Sequence, residues 1–193
     1  LYLTPISNIP ISMRIIRKIA VLGSGVMGSG IACHFANAGY QVMMLDLPSS
    51  GEKVSRNQIA EQALAQAIKQ KPAPLYHSSF VNRIRIGNLE DDLPKIKDAD
   101  WIIEVIVERL DIKQSLFERV DTLRKPGSIV SSNTSGIPIH LMAEGRSDDF
   151  RKHFLGTHFF NPPRYLRLLE IIPTPETEHE LVSFMMSFGE KFL

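Results

Sequence analysis

The sequence contains very little cysteine and carries almost no net charge. Cys33 is the only cysteine among the 193 residues, so no disulfide can form within the chain, as is usual in a reducing compartment. The 22 lysines and arginines nearly balance the 21 aspartates and glutamates, which removes the electrostatic argument for nucleic acid or a membrane surface as the main partner. We therefore expect a cytoplasmic protein in which Cys33, on an apolar helix, is a buried structural thiol and not a nucleophile.

Long hydrophobic runs, internal repeats and low-complexity tracts are also missing. No apolar run approaches the ~20 residues of a membrane-spanning helix, and we predict neither a membrane span nor a metal site. The length is enough for one domain with a substantial core. The first 12 residues precede Met13 and lack the positive start of a signal peptide. We expect residues 1–13 to be a leader or flexible arm and residues 14–193 to form the domain.

The sequence does contain a glycine-rich motif at the end of an apolar run. Residues 19–30 read IAVLGSGVMGSG, in which Gly23, Gly25 and Gly28 form the pattern G-x-G-x-x-G. In such a motif the first glycine permits a tight turn, the second lets the backbone approach a pyrophosphate, and the third lets helix pack on strand. The start of the following helix holds the phosphate charge. The candidate cofactor-binding residues here are Gly23, Ser24, Gly25, Val26, Met27 and Gly28.

The context of this motif supports a dinucleotide site. A predicted strand, Lys18–Leu22, precedes it, and a predicted helix, Val26–Ala38, follows it and ends at Gly39, a residue typical of a helix C-cap. A second apolar run, Gln41–Leu45, ends in Asp46, roughly 20 residues after the glycines. A carboxylate there accepts hydrogen bonds from ribose hydroxyls and repels a 2′-phosphate, which favours NAD over NADP. The alternative is a glycine-rich turn in some other α/β protein.

Helix-like and strand-like segments alternate along the next part of the chain. The patterns predict helices over Asn57–Gln70 and Leu110–Leu123 and strands over Arg83–Ile86, Trp101–Val105 and Ser128–Ser131. This alternation predicts an α/β fold with a Rossmann-type, doubly wound, mostly parallel sheet. We expect the inward-facing residues of the three helices to be Ile31, Phe35 and Ala38, then Ile59, Ala60, Ala63, Leu64, Ala67 and Ile68, then Leu110, Leu116, Phe117 and Val120.

The last third of the chain changes character. Two β-type runs, Phe154–Phe160 and Leu166–Ile172, are joined by a short, proline-rich connection. A connection of this length suits neighbouring strands better than a helical crossover. We therefore predict additional strands after the dinucleotide-binding core, followed by a final helix over Glu176–Phe188.

Three polar clusters follow the cofactor half. They read EVIVE at residues 104–108, SSNTS at residues 131–135, and THFFNP at residues 157–162, the last followed by LLE at residues 168–170. With these motifs, the chain from about residue 17 onward resembles the N-terminal NAD-binding domain of L-3-hydroxyacyl-CoA dehydrogenases. It is most similar to the dehydrogenase part of bacterial multifunctional fatty-acid oxidation enzymes. The resemblance implies NAD as cofactor, an acyl-CoA substrate, and the interconversion of L-3-hydroxyacyl-CoA and 3-ketoacyl-CoA in β-oxidation.

The resemblance also implies catalytic roles for individual residues. His158 is the candidate base for the hydroxyl proton, a task that suits a neutral imidazole, and Glu170 is its expected partner. Ser135 is expected at both the nicotinamide and the substrate oxygen, and Asn161 near both as well. The alternatives are a His158 satisfied by backbone at a strand end, and a Ser135 that is a nucleophile or only caps a helix over Ile137–Ala143.

Charged residues provide further candidates. Glu108 and Lys113 match family positions that contact the cofactor; the alternative is a solvated charge pair at a helix start. Glu104 is expected to be strand-end structure. The cations that could face the phosphates of CoA, or form only a solvated face, are Arg56, Lys69 and Lys71.

The resemblance implies partners beyond this chain. We expect a C-terminal helical domain that covers the acyl-CoA and dimerises, and that follows the truncated residues 14–193; alone, this chain is expected to be poorly active. The resemblance also implies a fused enoyl-CoA hydratase as a further domain. Two other functions stay open at this point. One is another 3-hydroxyacid dehydrogenase, whose base would be a lysine on a later helix, and the other is a dinucleotide-binding module without turnover.

Overall fold

A computed structural model describes residues 14–51 and 54–193. The predicted leader, residues 1–13, lies outside the described residues. Two short 3-10 segments, Ser78–Arg83 and Leu93–Asp98, flank the third strand. The strands are β1 Lys18–Leu22, β2 Gln41–Asp46, β3 Ile84–Asn88, β4 Trp101–Glu104, β5 Ile129–Ser132, β6 Phe154–Phe159 and β7 Leu169–Pro173. The α-helices are α1 Val26–Asn37, α2 Gln58–Ala67, α3 Leu110–Leu123, α4 Ile139–Ala143, α5 Asp148–Lys152 and α6 His179–Phe192.

The seven strands form one sheet in the order β3-β2-β1-β4-β5-β6-β7. The first six run parallel, and β7 pairs antiparallel with β6. This confirms the predicted fold class, including the extra strands after the dinucleotide-binding core. Leu22 of β1 lies beside Glu104 of β4, and Glu104 lies beside Ser132 of β5. The carboxyl ends of these strands therefore meet at one edge of the sheet, where open α/β sheets bind ligands.

Two hydrophobic layers cover the sheet. Side chains alternate along each strand, so Ile19 and Val21 face the layer that contains α1, α2 and α6, whereas Ala20 and Leu22 face the layer that contains α3 and α4. Trp101 and Phe35 are fully buried in the first layer, with ring centroids 5.2 Å apart. Burial of each large side chain stabilises the fold by about 2 to 3 kcal/mol. Cys33 is buried in the same layer, as predicted, and burial raises the pKa of its thiol to about 11.

Several predicted inward-facing residues are on the surface. Ala38 is exposed because α1 ends at Asn37; Gly39 follows with a φ of +98° and so ends the helix as expected. Ile59 and Ile68 are 40% and 42% exposed. The buried stripe of α2 follows the spacing i, i+4, i+7 through Ala60, Leu64 and Ala67, and the two isoleucines flank it.

Other errors concern the ends of elements. Helix α2 is shorter than the predicted Asn57–Gln70, and α5 was not predicted. Helix α6 begins three residues after Glu176, because the Thr177 hydroxyl donates to the Phe154 carbonyl at 2.6 Å and accepts from the Thr174 N–H at 2.8 Å. These bonds hold residues 174–177 in a turn before the helix. Strand β1 and helix α3 have the predicted bounds.

Candidate active site at the carboxyl edge of the sheet

The glycine motif forms the turn between β1 and α1. Gly23 has a φ of +108°, and a Cβ there would lie 2.5 Å from the carbonyl oxygen of Val105. A Cβ on Gly28 would overlap the carbonyl oxygen of Gly23. The fold itself therefore requires these two glycines. By contrast, a Cβ on Gly25 would meet no atom within 4 Å, so this glycine faces open space at the start of α1.

That open space adjoins the start of α1, where the sequence predicts the pyrophosphate. The first N–H groups of α1, a 12-residue helix that begins at Val26, have no acceptor within the helix and can bind an anion. A cleft of about 610 Å³ adjoins the turn and is lined by Gly23, Gly25 and Asp46 together with apolar residues such as Leu89 and Ile112. The cleft thus combines a turn able to bind an anion, a carboxylate and an apolar wall, and Asp111 and Arg119 also line it.

Asp46 lies at the carboxyl end of β2, where the sequence predicts the ribose contact. Its Oδ2 accepts hydrogen bonds from the Ser24 N–H at 2.6 Å and from the Ser24 hydroxyl at 2.5 Å. Its Oδ1 accepts from the Leu47 N–H at 2.7 Å. These three donors hold the carboxylate at the edge of the cleft and leave one lone pair, on Oδ1, for the ribose.

His158 and Glu170 are paired across the last two strands. They lie opposite each other in the antiparallel register of β6 and β7, so their side chains project from the same face. His158 Nδ1 lies 2.8 Å from Glu170 Oε2, and the side chains are 21% and 50% exposed. The partner of Nδ1 is thus a carboxylate and not the backbone. Nε2 is the ring nitrogen left to meet another molecule.

The SSNTS segment lies beside this pair. Asn133, just after β5, donates its N–H to the Glu104 carbonyl at 2.9 Å, and its side-chain oxygen accepts from the Phe159 N–H at 2.8 Å. Because Phe159 follows His158, this bond joins the segment to β6 next to the histidine. Ser135 and Asn161 are both exposed at the same edge of the sheet. Neither hydrogen-bonds the His158 ring in the described structure.

Ser135 does not cap the following helix. Helix α4 begins at Ile139, after Pro138, and the Thr134 hydroxyl accepts from the Ile137 N–H at 3.3 Å. The Ser135 N–H donates instead to Glu108 Oε1 at 3.2 Å. The Thr134 hydroxyl therefore stabilises the turn before α4, and the Ser135 hydroxyl is not needed for it.

Lys113 is not solvated, contrary to the alternative considered above. Its side chain is 1% exposed, and its Nζ lies 2.6 Å from Glu104 Oε1 and 3.3 Å from Glu108 Oε2. Glu104 is fully buried at the end of β4. Burial raises the pKa of the Glu104 carboxyl, although Lys113 and the hydroxyl of Ser132 oppose that shift. Glu104 ends β4 as expected, but its pairing with Lys113 was not predicted, although a carboxylate in an apolar strand with a lysine nine residues later is an unusual pattern.

Glu108 is the half-exposed member of this group. Its side chain is 42% exposed. Partial burial would raise the pKa of its carboxyl, but hydrogen bonds from Thr134 and Gly136 and the Lys113 ammonium together hold the pKa below its ordinary value. Glu108 is therefore ionised and bound to the SSNTS turn.

Among the described residues, none of the remaining candidate cations and histidines bonds to His158 or Glu170. Arg56 pairs with Asp91 at 2.6 Å on the surface, and Lys69 and Lys71 are exposed. Among the other histidines, His34 and His153 are buried, and the exposed ones are His77, His140 and His179. In residues 14–51 and 54–193, no group of three or more His, Cys, Asp or Glu side chains could hold a metal ion. No helix in those ranges is long and apolar enough to cross a bilayer.

Comparison with known proteins gives a consistent result. Residues 18–192 match the family model described as "3-hydroxyacyl-CoA dehydrogenase, NAD binding domain". A Bacillus subtilis protein named "Probable 3-hydroxyacyl-CoA dehydrogenase" is 56% identical over 191 residues, which cover 92% of this chain and 24% of that protein. A Rickettsia felis protein, named as a fatty acid oxidation complex trifunctional enzyme, is 43% identical over 178 residues, covering 92% of this chain and 25% of its own.

Solved structures of similar fold agree with the sequence relatives. The (S)-3-hydroxybutyryl-CoA dehydrogenase of Ralstonia eutropha superposes with a TM-score of 0.73 at 26% identity, over 92% of this chain and 61% of that chain. The 3-hydroxybutyryl-CoA dehydrogenase of Escherichia coli gives a TM-score of 0.71 at 26% identity, and the match covers 92% of this chain and 37% of that chain. This chain thus spans only part of the relatives that it matches. It belongs to the 3-hydroxyacyl-CoA dehydrogenase family and forms the family's NAD-binding domain.

Proposed function

We propose that this chain is the NAD-binding and proton-transferring part of an enzyme that interconverts L-3-hydroxyacyl-CoA and 3-ketoacyl-CoA in fatty-acid β-oxidation. The observation that carries the proposal is the pair of His158 Nδ1 and Glu170 Oε2, 2.8 Å apart, at the edge of the sheet that also holds the dinucleotide turn. The family match supports the reaction class. The name of the Rickettsia felis relative supports fatty-acid oxidation as the context.

The residues of the glycine turn and Asp46 bind the cofactor and orient it. The backbone from Gly23 to Gly28 receives the pyrophosphate, and Asp46 receives the ribose hydroxyls. When bound, NAD supplies the hydride acceptor for the carbon that bears the substrate hydroxyl. Ser24 holds Asp46 in place through two hydrogen bonds.

The catalytic half moves one proton. Glu170 accepts the Nδ1–H of His158, which leaves the Nε2 lone pair to take the proton of the 3-hydroxyl group. The carboxylate then stabilises the imidazolium that results. Ser135 and Asn161 hydrogen-bond the substrate oxygen as the alcohol becomes a ketone. In the reverse direction, His158 returns the proton from Nε2 to that oxygen.

Further domains and partners belong to the same proposal. This chain covers 24% of the Bacillus subtilis relative and 61% of the solved Ralstonia eutropha structure, which supports a longer enzyme with a helical domain over the acyl-CoA. A fused enoyl-CoA hydratase, a homodimer and a cytoplasmic location complete it. The trifunctional name of the Rickettsia felis relative supports fused domains, and the single cysteine supports a reducing compartment.

The test is oxidation of NADH by acetoacetyl-CoA, followed by absorbance. Two proteins are compared: this chain alone, and this chain fused to the residues that follow the matched region in the Bacillus subtilis relative. The fusion should turn over, and His158→Ala should lower its kcat/KM by ~10²–10⁴-fold, the usual contribution of a general base. His179→Ala, which removes an exposed histidine on α6, is the matched control and should leave the rate unchanged.

Two results would contradict the proposal. A folded fusion that binds NADH tightly but never consumes it with acetoacetyl-CoA would indicate a binding module without turnover. Full activity of the His158→Ala variant would remove this histidine from the reaction.

A further inference from the structure

The most unusual electrostatic feature of the molecule is a buried lysine between two glutamates. Lys113 and Glu104 have side chains that are 1% and 0% exposed. Removing two charges from water costs several kcal/mol per ion, and only good geometry with further hydrogen bonds offsets that cost. An apolar pair of the same size would fold as well or better. The pair therefore needs a reason beyond stability.

The position of Lys113 along its helix strengthens this point. It is the fourth residue of α3, which begins at Leu110, so the ammonium lies near the positive end of the helix dipole. That end attracts anions, not cations. The two carboxylates at 2.6 Å and 3.3 Å from Nζ are what make this location tolerable for a lysine.

One arm of the network leads to the turn that carries Ser135. Glu108, held by Lys113, accepts hydrogen bonds at Oε1 from the Thr134 hydroxyl and from the N–H groups of Ser135 at 3.2 Å and Gly136 at 3.1 Å. Its other oxygen, Oε2, faces the ammonium. Oε1 of Glu108 thus binds the turn and Oε2 faces Lys113, so Glu108 joins the buried ion pair to the Ser135 turn.

The other arm holds the wall of the dinucleotide cleft. Glu104 Oε1 accepts the N–H of Ile106 at 2.7 Å, and Oε2 accepts the hydroxyl of Ser132 at 2.5 Å. Ile106 lines the cleft beside Gly23. The Glu104 carboxylate is therefore bonded to three elements at once, the loop after β4, the end of β5 and the first turn of α3.

We propose that Glu104 is a positioning residue for the active site: through Lys113 and Glu108 it sets the place of the Ser135 turn, and through Ile106 it sets the cleft wall. Glu104 is too deeply buried to touch a ligand and acts only through these neighbours. The consequence for catalysis rests on the proposed function, since that function gives Ser135 its task. The positioning itself can be tested in the free protein without substrate.

The test is amide hydrogen exchange at Ser135 and Gly136 in the free protein, together with the NADH dissociation constant from fluorescence. Glu104→Gln keeps the shape but leaves the Lys113 ammonium without its buried counter-charge. We expect Tm to fall by about 10 °C, exchange at the two amides to become about tenfold faster, and NADH to bind about tenfold more weakly. The double variant Glu104→Gln/Lys113→Met removes the buried charge as well and should recover most of the lost Tm.

The double variant separates positioning from stability. If Glu104 positions the turn, exchange stays fast and NADH binding stays weak although Tm has recovered. Recovery of all three quantities together would overturn the proposal, because the pair would then serve only folding. Should neither variant fold, Glu104→Asp is measured instead, because it keeps the charge but shortens the side chain. Amide exchange at Ser135 and Gly136 as slow as in the wild type would then also overturn the proposal.

A matched control exists at the opposite end of α3. Arg124, whose side chain is 3% exposed, pairs with Asp149 at 2.5 Å. Arg124→Gln should lower Tm in the same way but leave exchange at Ser135 and Gly136 and NADH binding unchanged, all measured well below Tm. Turnover of acetoacetyl-CoA is scored separately, so failure of the proposed reaction would not be mistaken for failure of this inference.

Discussion

At the scale of single residues, the three motif glycines serve different needs. Gly23 and Gly28 are required by the fold, because a Cβ on either would collide with a backbone oxygen. A Cβ on Gly25 would have no protein atom within 4 Å, so packing within the protein does not require a glycine there. The motif assigns the three glycines different tasks, and the geometry agrees for the two that the fold requires.

This difference predicts opposite behaviour for two alanine variants. Gly25→Ala should keep Tm within about 2 °C of wild type, since its Cβ would meet no protein atom within 4 Å, and should weaken NADH binding by about tenfold because the Cβ would occupy the proposed phosphate position. Gly28→Ala should instead destabilise the fold by ~2 kcal/mol or more through overpacking. Thermal unfolding and NADH titration of both variants check this. Wild-type NADH affinity in Gly25→Ala would contradict the placement of the pyrophosphate.

The charged residues show what a motif leaves open. The family resemblance implies that Glu108 and Lys113 contact the cofactor, and this stays a prediction; the alternative of a solvated pair was wrong for Lys113, whose side chain is 1% exposed. Its main partner, Glu104, was expected only to end a strand. Spacing along the chain cannot reveal burial that arises when two strands and a helix converge.

At the scale of elements, the face of a helix was harder to predict than its existence. The sequence predicted α2 and its apolar character, yet Ile59 and Ile68 lie on the outside, 40% and 42% exposed, whereas Leu64 is 5% exposed. The stripe of α2 is narrow, because its contacts are with α1 and the neighbouring strands β2 and β3. In the hydrophobic pattern of the sequence, apolar residues just outside a narrow buried stripe cannot be told from those within it.

The corrected face of α2 predicts which substitutions matter. Leu64→Ala should lower the free energy of unfolding by ~2–4 kcal/mol, as is usual when a buried leucine is truncated. Ile59→Lys and Ile68→Lys should change it by less than about 0.5 kcal/mol. Urea unfolding of the three variants gives these values. A large loss from either lysine variant would mean that the predicted wider stripe was right after all.

At the scale of the whole molecule, buried ionisable groups make stability depend on pH. Burial lowers the pKa of His34 from 6.5, and its Nδ1 has no hydrogen-bond partner in the described structure. Carboxylates titrate at lower pH, and hydrogen bonds and ion pairs lower their pKa further. For Asp149, burial would raise the pKa, but the Gly127 N–H and Arg124 together hold the pKa below its ordinary value. The two kinds of group therefore act in separate pH ranges.

The histidine predicts a loss of stability in mild acid. Since its pKa is lower in the folded than in the unfolded state, His34 favours folding above pH 6.5, and that advantage is lost as pH falls from 6.5 through the folded pKa. The slope can reach about 1.4 kcal/mol per pH unit. Urea unfolding between pH 8 and pH 5 should show a shallower slope for His34→Leu than for wild type. His179→Ala, at an exposed site, should keep the wild-type slope; equal slopes in all three proteins would contradict the prediction.

By itself, the sequence determined the dinucleotide turn, the identity of the family and the alternation of strands and helices, because each depends on residues that are close together in the chain. Glycine conformation, apolar period and short motifs are local properties, and β1 and α3 accordingly have the predicted bounds. The extra antiparallel strand β7 could also be predicted from the length and composition of its connection to β6.

Only the tertiary structure showed which polar side chains are in contact; the family resemblance implied the pairing of His158 with Glu170, but the sequence showed no contact. The pairs His158–Glu170, Lys113–Glu104 and Ser24–Asp46 join residues that are 12, 9 and 22 positions apart. The first pair comes from the register of two strands, the second from the approach of α3 to β4, and the third from neighbouring parallel strands. Hydrogen bonds and ion pairs act over a few ångströms, so they depend on where the sheet brings the chain together, and that is a property of the whole fold.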